Sequence, residues 1–198
     1  MGRPREFDAD EVLDKALEVF WRKGYEATSL SDLTEAMGIT RPSLYAAFGN
    51  KESLFCKALE RYVASRRALV IEAMALPTCR EAVERVLLDA AAGLTDPCSP
   101  PGCLTVHGAL ACGSAAESIR DQLSSKREDF EVRLRNRLLQ AEAEGDLPPG
   151  TDVDDLARYV ATIAQGMSVQ ASGGADRAEL ERTVRIAMQA WPVGTNGG

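Results

Sequence analysis

The chain has 198 residues, 45% of them apolar and 27% charged, which is enough for one substantial core or for a small module joined to a larger one. No run approaches the roughly 18 uninterrupted apolar residues of a membrane span, and no apolar signal core follows the first residues, so the expected address is cytoplasmic, with no membrane partner. The net charge of −7 argues against a nucleic-acid partner until its distribution is read: residues 1–67 carry 11 basic and 11 acidic side chains, and the excess acid falls in the remainder, 12 against 19.

Helix signals begin at once. Asp8 can cap a first turn, Glu11 stands three residues on, and Phe7 and Val12 hold the hydrophobic-staple positions. Val12, Leu13, Ala16, Leu17 and Phe20 share one face, and Gly24 offers a left-handed stop, which predicts a helix from about 8 to 23. Thr28 or Ser29 can cap a short second helix that holds Leu30, Leu33 and Met37 and ends at Gly38. Thr40 can cap a third, with Pro42 in the first turn, where a missing N–H costs nothing, and with Leu44, Tyr45 and Phe48 as apolar contacts. Gly49-Asn50 breaks it. A fourth, longer helix then carries Leu54, Phe55, Ala58, Leu59, Tyr62 and Leu69 on one side and ends before Pro77. Further helices are predicted at about 79–94, 103–112, 115–145, 152–171 and 176–191, separated by Pro- and Gly-bearing breaks. No strand pattern competes. The expected fold is all-α with about nine helices: a helix-turn-helix domain over 1–52 with a basic arm, a larger helical domain over 53–192, and a disordered tail over 193–198.

Two short helices joined by Gly38-Ile39-Thr40, with a preceding helix to pack on, have the size of a tri-helical DNA-reading unit, though spacing alone fits an ordinary helical hairpin as well. Charge favours the former. Within 41–67, six basic groups (Arg41, Lys51, Lys57, Arg61, Arg66, Arg67) face only Glu52 and Glu60, and Arg3 and Arg5 stand in front. The third helix would read: Thr40, Arg41, Pro42 and Ser43 open it and can reach base edges, while Tyr45 and Lys51 can reach phosphates. Tyr45 can equally be a core aromatic with a wet hydroxyl. Lys51 can be a plain solvated cation, although a helix start disfavours positive charge.

The wording of this segment resembles the DNA-binding signature of the TetR family. The resemblance is carried by Gly24-Tyr25, Thr28-Ser29, the Gly38-Ile39-Thr40 turn, Leu44-Tyr45, Phe48, Lys51-Glu52 and Leu54-Phe55, over roughly residues 8 to 55. Within the family it is similar to the branch of ComR-type repressors, through Gly2-Arg3-Pro4-Arg5, Phe20-Trp21 and the run from Pro42 to Phe48. Leu33-Thr34, Met37 and Pro42 depart from the commoner pattern and bear on the operator sequence, not on the act of binding. The resemblance implies phosphate contacts from Thr28 or Ser29, Tyr45 and Lys51, and groove contacts from Arg41, Pro42 and Ser43, with Arg41 as base reader. It also implies a ligand-responsive repressor, without enzymatic activity or cofactor, that binds a double-stranded inverted-repeat operator as a homodimer and is released by a small organic inducer.

In the second domain, Leu156, Val160, Ile163 and Met167 keep helical spacing, Gly166 permits close approach, and Val184, Met188 and Trp191 continue the pattern on the last helix. The resemblance implies that these two helices form a four-helix bundle across a twofold axis; a monomer core is the alternative. Candidate ligand contacts are Tyr62, Arg66, Cys103, His107, Phe130, Tyr159 and Met167, with Arg66 and His107 suited to a carboxylate or carbonyl, unless Arg66 only solvates the helix surface. There are five cysteines, an odd number, and most of them read as reduced thiols. His107 lies four residues after Cys103, a metal or redox spacing with Cys98 as the one further ligand in reach, so a metal or thiol signal stands beside the organic inducer and beside a plainly packed histidine. No metal site is assigned on that spacing. A helical enzyme using Cys103 or Cys112 with His107 is a remote reading, because no third orienting residue or oxyanion site accompanies the pair.

Overall fold

The computed structural model describes residues 7–110 and 116–192; the arm with Arg3 and Arg5, Cys112 and the tail 193–198 lie outside them. Nine α-helices and no strand are found among the described residues: α1 (Ala9–Lys23), α2 (Leu30–Met37), α3 (Arg41–Phe48), α4 (Lys51–Met74), α5 (Cys79–Leu94), α6 (Leu104–Leu110), α7 (Glu117–Glu144), α8 (Val153–Ser172) and α9 (Arg177–Gln189). None is long and apolar enough to cross a membrane. Caps explain the boundaries. Asp8 accepts from the N–H groups of Asp10 and Glu11, but Glu11 turns to Lys15 at 2.7 Å, so the reciprocal box it was expected to complete does not close. Gly24 has φ 76° with ψ 171°, an extended glycine conformation in place of the expected left-handed one, and its N–H returns to the Phe20 carbonyl.

Two apolar cores follow. The first joins Phe20 of α1, Leu33 of α2 and Leu44 and Phe48 of α3 to Leu54, Phe55, Leu59 and Tyr62 of α4, and takes in Leu104, Ile119 and Leu123 from α6 and α7. The reading head therefore reaches past residue 52 and shares α4 with the body. Phe55 stands edge-on to Phe20 at 5.0 Å and to Tyr25 at 5.2 Å, contacts that contribute about 0.5–1.5 kcal/mol each beyond area burial. The second core lies among α5, α7, α8 and α9. Buried Arg137 of α7 fixes where α4 stops: Nε donates to the Met74 carbonyl (3.1 Å) and Nη2 to that of Leu76 (3.2 Å), satisfying acceptors that a helix end leaves open.

The orientation of α8 and α9 corrects one expectation. Val160, Met167, Val184, Met188 and Trp191, anticipated on a dimer face, are buried in the protomer's own core, because these helices turn their most apolar stripes onto α5 and α7. What faces outward is Tyr159, Gly166, Val169 and Ile186, the last 67% exposed, while Leu156 and Ile163 are half-buried.

Candidate nucleic-acid interface and ligand cavity

Ser29, not Thr28, caps α2. Its hydroxyl accepts the Asp32 N–H at 3.0 Å, while Asp32 Oδ2 accepts from Ser29 N and Oγ, both at 2.8 Å, and Oδ1 takes the Lys23 ammonium at 2.7 Å. The Lys23 bond first, then those from Ser29, hold the Asp32 carboxyl well below the usual carboxylate range. Thr28 is buried with its hydroxyl donating to the Gly24 carbonyl at 2.6 Å, so it has no reach to a phosphate, and the Ser29 hydroxyl is engaged in the box. Gly38 (φ 67°, ψ 27°) is the left-handed stop that reverses the chain into α3. There Thr40 accepts the Ser43 N–H at 3.3 Å, and the two hydroxyls lie 3.0 Å apart.

Leu44 and Phe48 face inward; Arg41, Pro42, Tyr45, Ala46 and Ala47 face out. Tyr45 is 49% exposed, which removes the core-aromatic reading. Arg41 Nη2 donates to Ser31 Oγ at 2.8 Å, tying the first turn of α3 to α2. The Lys51 ammonium stands 4.5 Å from the centroid of Tyr25; desolvation lowers its pKa, with Glu26 and Asp32 opposing the shift. Lys57 lies 5.4 Å from the Phe48 centroid and 3.5 Å from the Ala47 carbonyl. The other cations of the 41–67 run are used elsewhere: Arg61 binds Asp10 (2.8 Å) and Asp14 of α1, and Arg66 and Arg67 line a cavity. Arg41, Lys51 and Lys57 thus remain beside α3 with no carboxylate of the described residues within ion-pair distance. Ser31 and Lys57 were not singled out as site residues from sequence. Lys57 was visible in the charge run, whereas the Ser31 bond crosses the turn and leaves no periodic signal.

A cavity of about 280 Å³ is bounded by α4, α5, α7 and α8 and by the start of α6. It brings together Tyr62, Arg66, Cys103 and Phe130 of the anticipated ligand residues. Tyr159 is on the exterior of α8 and Met167 is packed in the body core, so neither lines it. The Tyr62 hydroxyl donates to Cys103 Sγ at 3.2 Å, and burial pushes its pKa up, which keeps it a neutral donor. Cys103 Sγ also meets Thr105 Oγ1 at 3.1 Å. Arg66 Nη2 donates to the Gly93 carbonyl at 3.2 Å, and its guanidinium carbon lies 5.7 Å from the Trp21 ring centroid and 5.6 Å from that of Tyr62, the two rings being edge-on at 4.8 Å.

His107 borders a different, open groove of about 580 Å³ with Trp21, Lys23, Pro101 and Ser172. Its Nε2 is 2.5 Å from Ser172 Oγ and 3.3 Å from Ser168 Oγ. The Cys103–His107 pair expected from spacing is therefore divided between two cavities, and Cys98 is exposed. Among the described residues no group of three or more His, Cys, Asp and Glu side chains is placed to hold a metal ion.

Two family models match the chain: bacterial regulatory proteins of the tetR family over residues 12–58, and the tetracyclin repressor-like C-terminal domain over 79–187. The chain is 40% identical over 196 residues to the HTH-type transcriptional repressor ComR of Escherichia coli strain K12, covering 96% of this chain and 92% of ComR. It is 32% identical to the uncharacterized HTH-type transcriptional regulator YezE of Bacillus subtilis strain 168, covering 95% and 98%. Among solved structures, a cysteine mutant of the TetR family transcriptional regulator CifR, complexed with 26-bp double-strand operator DNA, superimposes with a TM-score of 0.92 at 42% identity, covering 96% of this chain and 100% of that one.

Proposed function

The chain belongs to the TetR family of bacterial regulatory proteins and is a transcriptional regulator, not an enzyme; from that premise we propose that it is a cytoplasmic repressor, two copies of which hold an inverted-repeat operator and let go when a small organic molecule fills the cavity. The observation that carries the reading is the exposed face of α3, bordered by three cations, Arg41, Lys51 and Lys57, none of which has a carboxylate of the described residues within ion-pair distance, Glu26 and Asp32 acting on Lys51 only from farther off. A phosphate backbone is the polyanion such a face fits. Arg41 can pair bidentately with a guanine edge, and the Ala46 and Ala47 methyls suit thymine methyls. Tyr45, Lys51 and Lys57 would take phosphates, while Thr40 and Ser43 satisfy one another and set the helix start beside Pro42. The relative ComR is named a repressor, and the CifR complex contains operator DNA, which supports the same action here.

Two copies are needed for a palindromic site. The outward stripe of Tyr159, Gly166, Val169 and Ile186 supplies a contact surface on α8 and α9, with Leu156 and Ile163 at its margin. Selection of bound fragments from random duplexes at low salt, combined with gel filtration, tests the proposal. A dimer that enriches an inverted repeat is the expected result; a monomer that enriches nothing overturns it.

A further inference from the structure

The half-buried cations of the cavity name the class of molecule it takes. Of the carboxylates along its lining, Glu60 is bound to Lys126 at 2.7 Å, Asp89 to Arg85 at 2.8 Å, and Asp129 is exposed. Arg66 and Arg127 are half-buried beside the cavity, and no carboxylate of the described residues lies within ion-pair distance of either. Their polar partners are neutral: the Gly93 carbonyl for Arg66, and the Thr105 carbonyl and Ser124 Oγ for Arg127. A guanidinium drawn from water without a counterion is costly, and an incoming anion is what relieves that cost. Next to these groups stand two hydroxyls, Tyr62 and Thr105, while Val63, Val70, Val86, Leu94 and Phe130 make the remaining wall apolar. At about 280 Å³ the space lies at the small end for ligand sites and accommodates about ten non-hydrogen atoms, at roughly 30 Å³ per water-sized group.

Building on the reading of this cavity as the inducer site, we propose that it takes a small monocarboxylate with an apolar body, whose carboxylate is held by Arg66 and Arg127. A keto or aldehyde group would be met by the same hydroxyls but would leave both guanidiniums without a counterion, so the charge selects the acid. The choice also has a mechanical consequence. Arg66 now lies over the ring of Trp21, which belongs to α1 of the reading head. A carboxylate that draws Arg66 inward removes a cation from that ring, and so alters the contact between cavity and head directly.

The test is calorimetry on the full chain with octanoate, octanamide and octylammonium, three probes of one body and different head charge, well below micellar concentrations, with tryptophan emission followed alongside. Octanoate should bind at least about tenfold more tightly than octanamide, since charge-assisted hydrogen bonds are roughly twice as strong as neutral ones, and octylammonium should bind least. Arg66→Gln and Arg127→Gln should each collapse the acid-over-amide ratio towards one, and octanoate should shift tryptophan emission in the wild type but not in Arg66→Gln. Equal binding of acid and amide, binding of no member of the series, or a ratio that survives both substitutions overturns the proposal. The wild-type series stands even if a variant fails to fold. Operator binding is measured on the same preparation: a protein that holds operator but ignores octanoate refutes the ligand class alone, and one that binds octanoate but selects no DNA refutes the regulator reading alone.

Discussion

Lys51→Gln separates the charge of the reading face from its stability. Lys51 opens α4, where the helix dipole opposes a cation by about 0.3–1 kcal/mol, and its ammonium sits 4.5 Å from the Tyr25 centroid, a contact that returns about 0.5–1 kcal/mol. The two nearly cancel, so the variant should unfold close to the wild-type temperature. DNA binding should not be so indifferent. Each phosphate neutralised contributes about 0.9 to the slope of log affinity against log salt, and a dimer loses two contacts, so the slope should flatten by about 1.8. Between about 50 and 200 mM salt, the wild type should then lose about twelvefold more affinity than the variant. Fluorescence anisotropy with the selected operator and with a scrambled duplex across that range measures both slopes, and the change should be the same on the two DNAs. Parallel salt dependences for wild type and variant would refute the phosphate assignment, and a changed base preference would show that Lys51 reads sequence.

Arg41→Ala should cost about 1–3 kcal/mol at one position of each half-site and relax the preference there, as read by binding selection; an unchanged preference moves base reading elsewhere. Ile186→Glu removes no packing from the protomer core, since Ile186 is 67% exposed, yet places a charge on the outward stripe; gel filtration should give a monomer with unchanged helicity, and a surviving dimer excludes this face. Asp32 has a folded pKa below its unfolded value, so its contribution is fully present above the unfolded value of about 4 and is lost as pH falls further; wild type and Asp32→Asn should differ in melting temperature near pH 7 and converge towards about pH 2, and a gap independent of pH would sink the capping assignment. Gly93→Ala would put a methyl 1.9 Å from Arg66 Nη1, the flexible end of a side chain, while Ala replaces Gly in a helix with a gain of about 0.5–1 kcal/mol; stability should hold while Arg66 leaves the Trp21 and Tyr62 rings, and unaltered tryptophan emission would contradict that.

The helices were legible from local chemistry, the first three through capping residues and the later ones through Pro- and Gly-bearing breaks, although α7 starts at Ala116 without a side-chain cap. Ser29, Thr40, Asn50, Thr78, Asp152 and Asp176 all accept the N–H that a cap should accept, and local bonds of this kind depend on three or four consecutive residues. The reading face was legible through the Thr40 to Tyr45 run for the same reason. What could not be read depends on distant partners. Two stripes of α8 keep helical spacing, Val160 with Met167 and Tyr159 with Gly166 and Val169; only the arrival of α5 and α7 decides which is covered. Adjacent hydroxyls at 28 and 29 were equivalent until Asp32 and the Gly24 carbonyl took one each. The basic run lost Arg61 to Asp14, 47 residues away. Cys103 precedes the first residue of α6, so the i,i+4 rule that would pair it with His107 does not govern its side chain, which turns to Tyr62.

The reading head and the cavity are joined by shared residues. Tyr62 is part of the head's core and also lines the cavity, and Leu104, Ile119 and Leu123 complete that core from α6 and α7, which also wall the cavity. A ligand beside Tyr62 and Arg66 therefore touches atoms whose positions depend on how the head sits, and this gives it different contacts in different head orientations, without which no ligand shifts an equilibrium. The 24-residue α4, about 36 Å long, begins at Lys51 beside the reading helix and passes the cavity at Tyr62 and Arg66, so a small tilt there is carried to the DNA face. Half-sites one turn of B-DNA apart lie about 34 Å from one another, and in the proposed two-copy complex a tilt repeated by symmetry would spoil the fit at both ends together. The energy for that misfit can only come from ligand binding, so operator must weaken the ligand by the factor by which the ligand weakens operator, about 5–150-fold for a coupling of 1–3 kcal/mol. An Arg66 drawn from Trp21 towards a carboxylate is the kind of paired gain and loss that such a coupling requires.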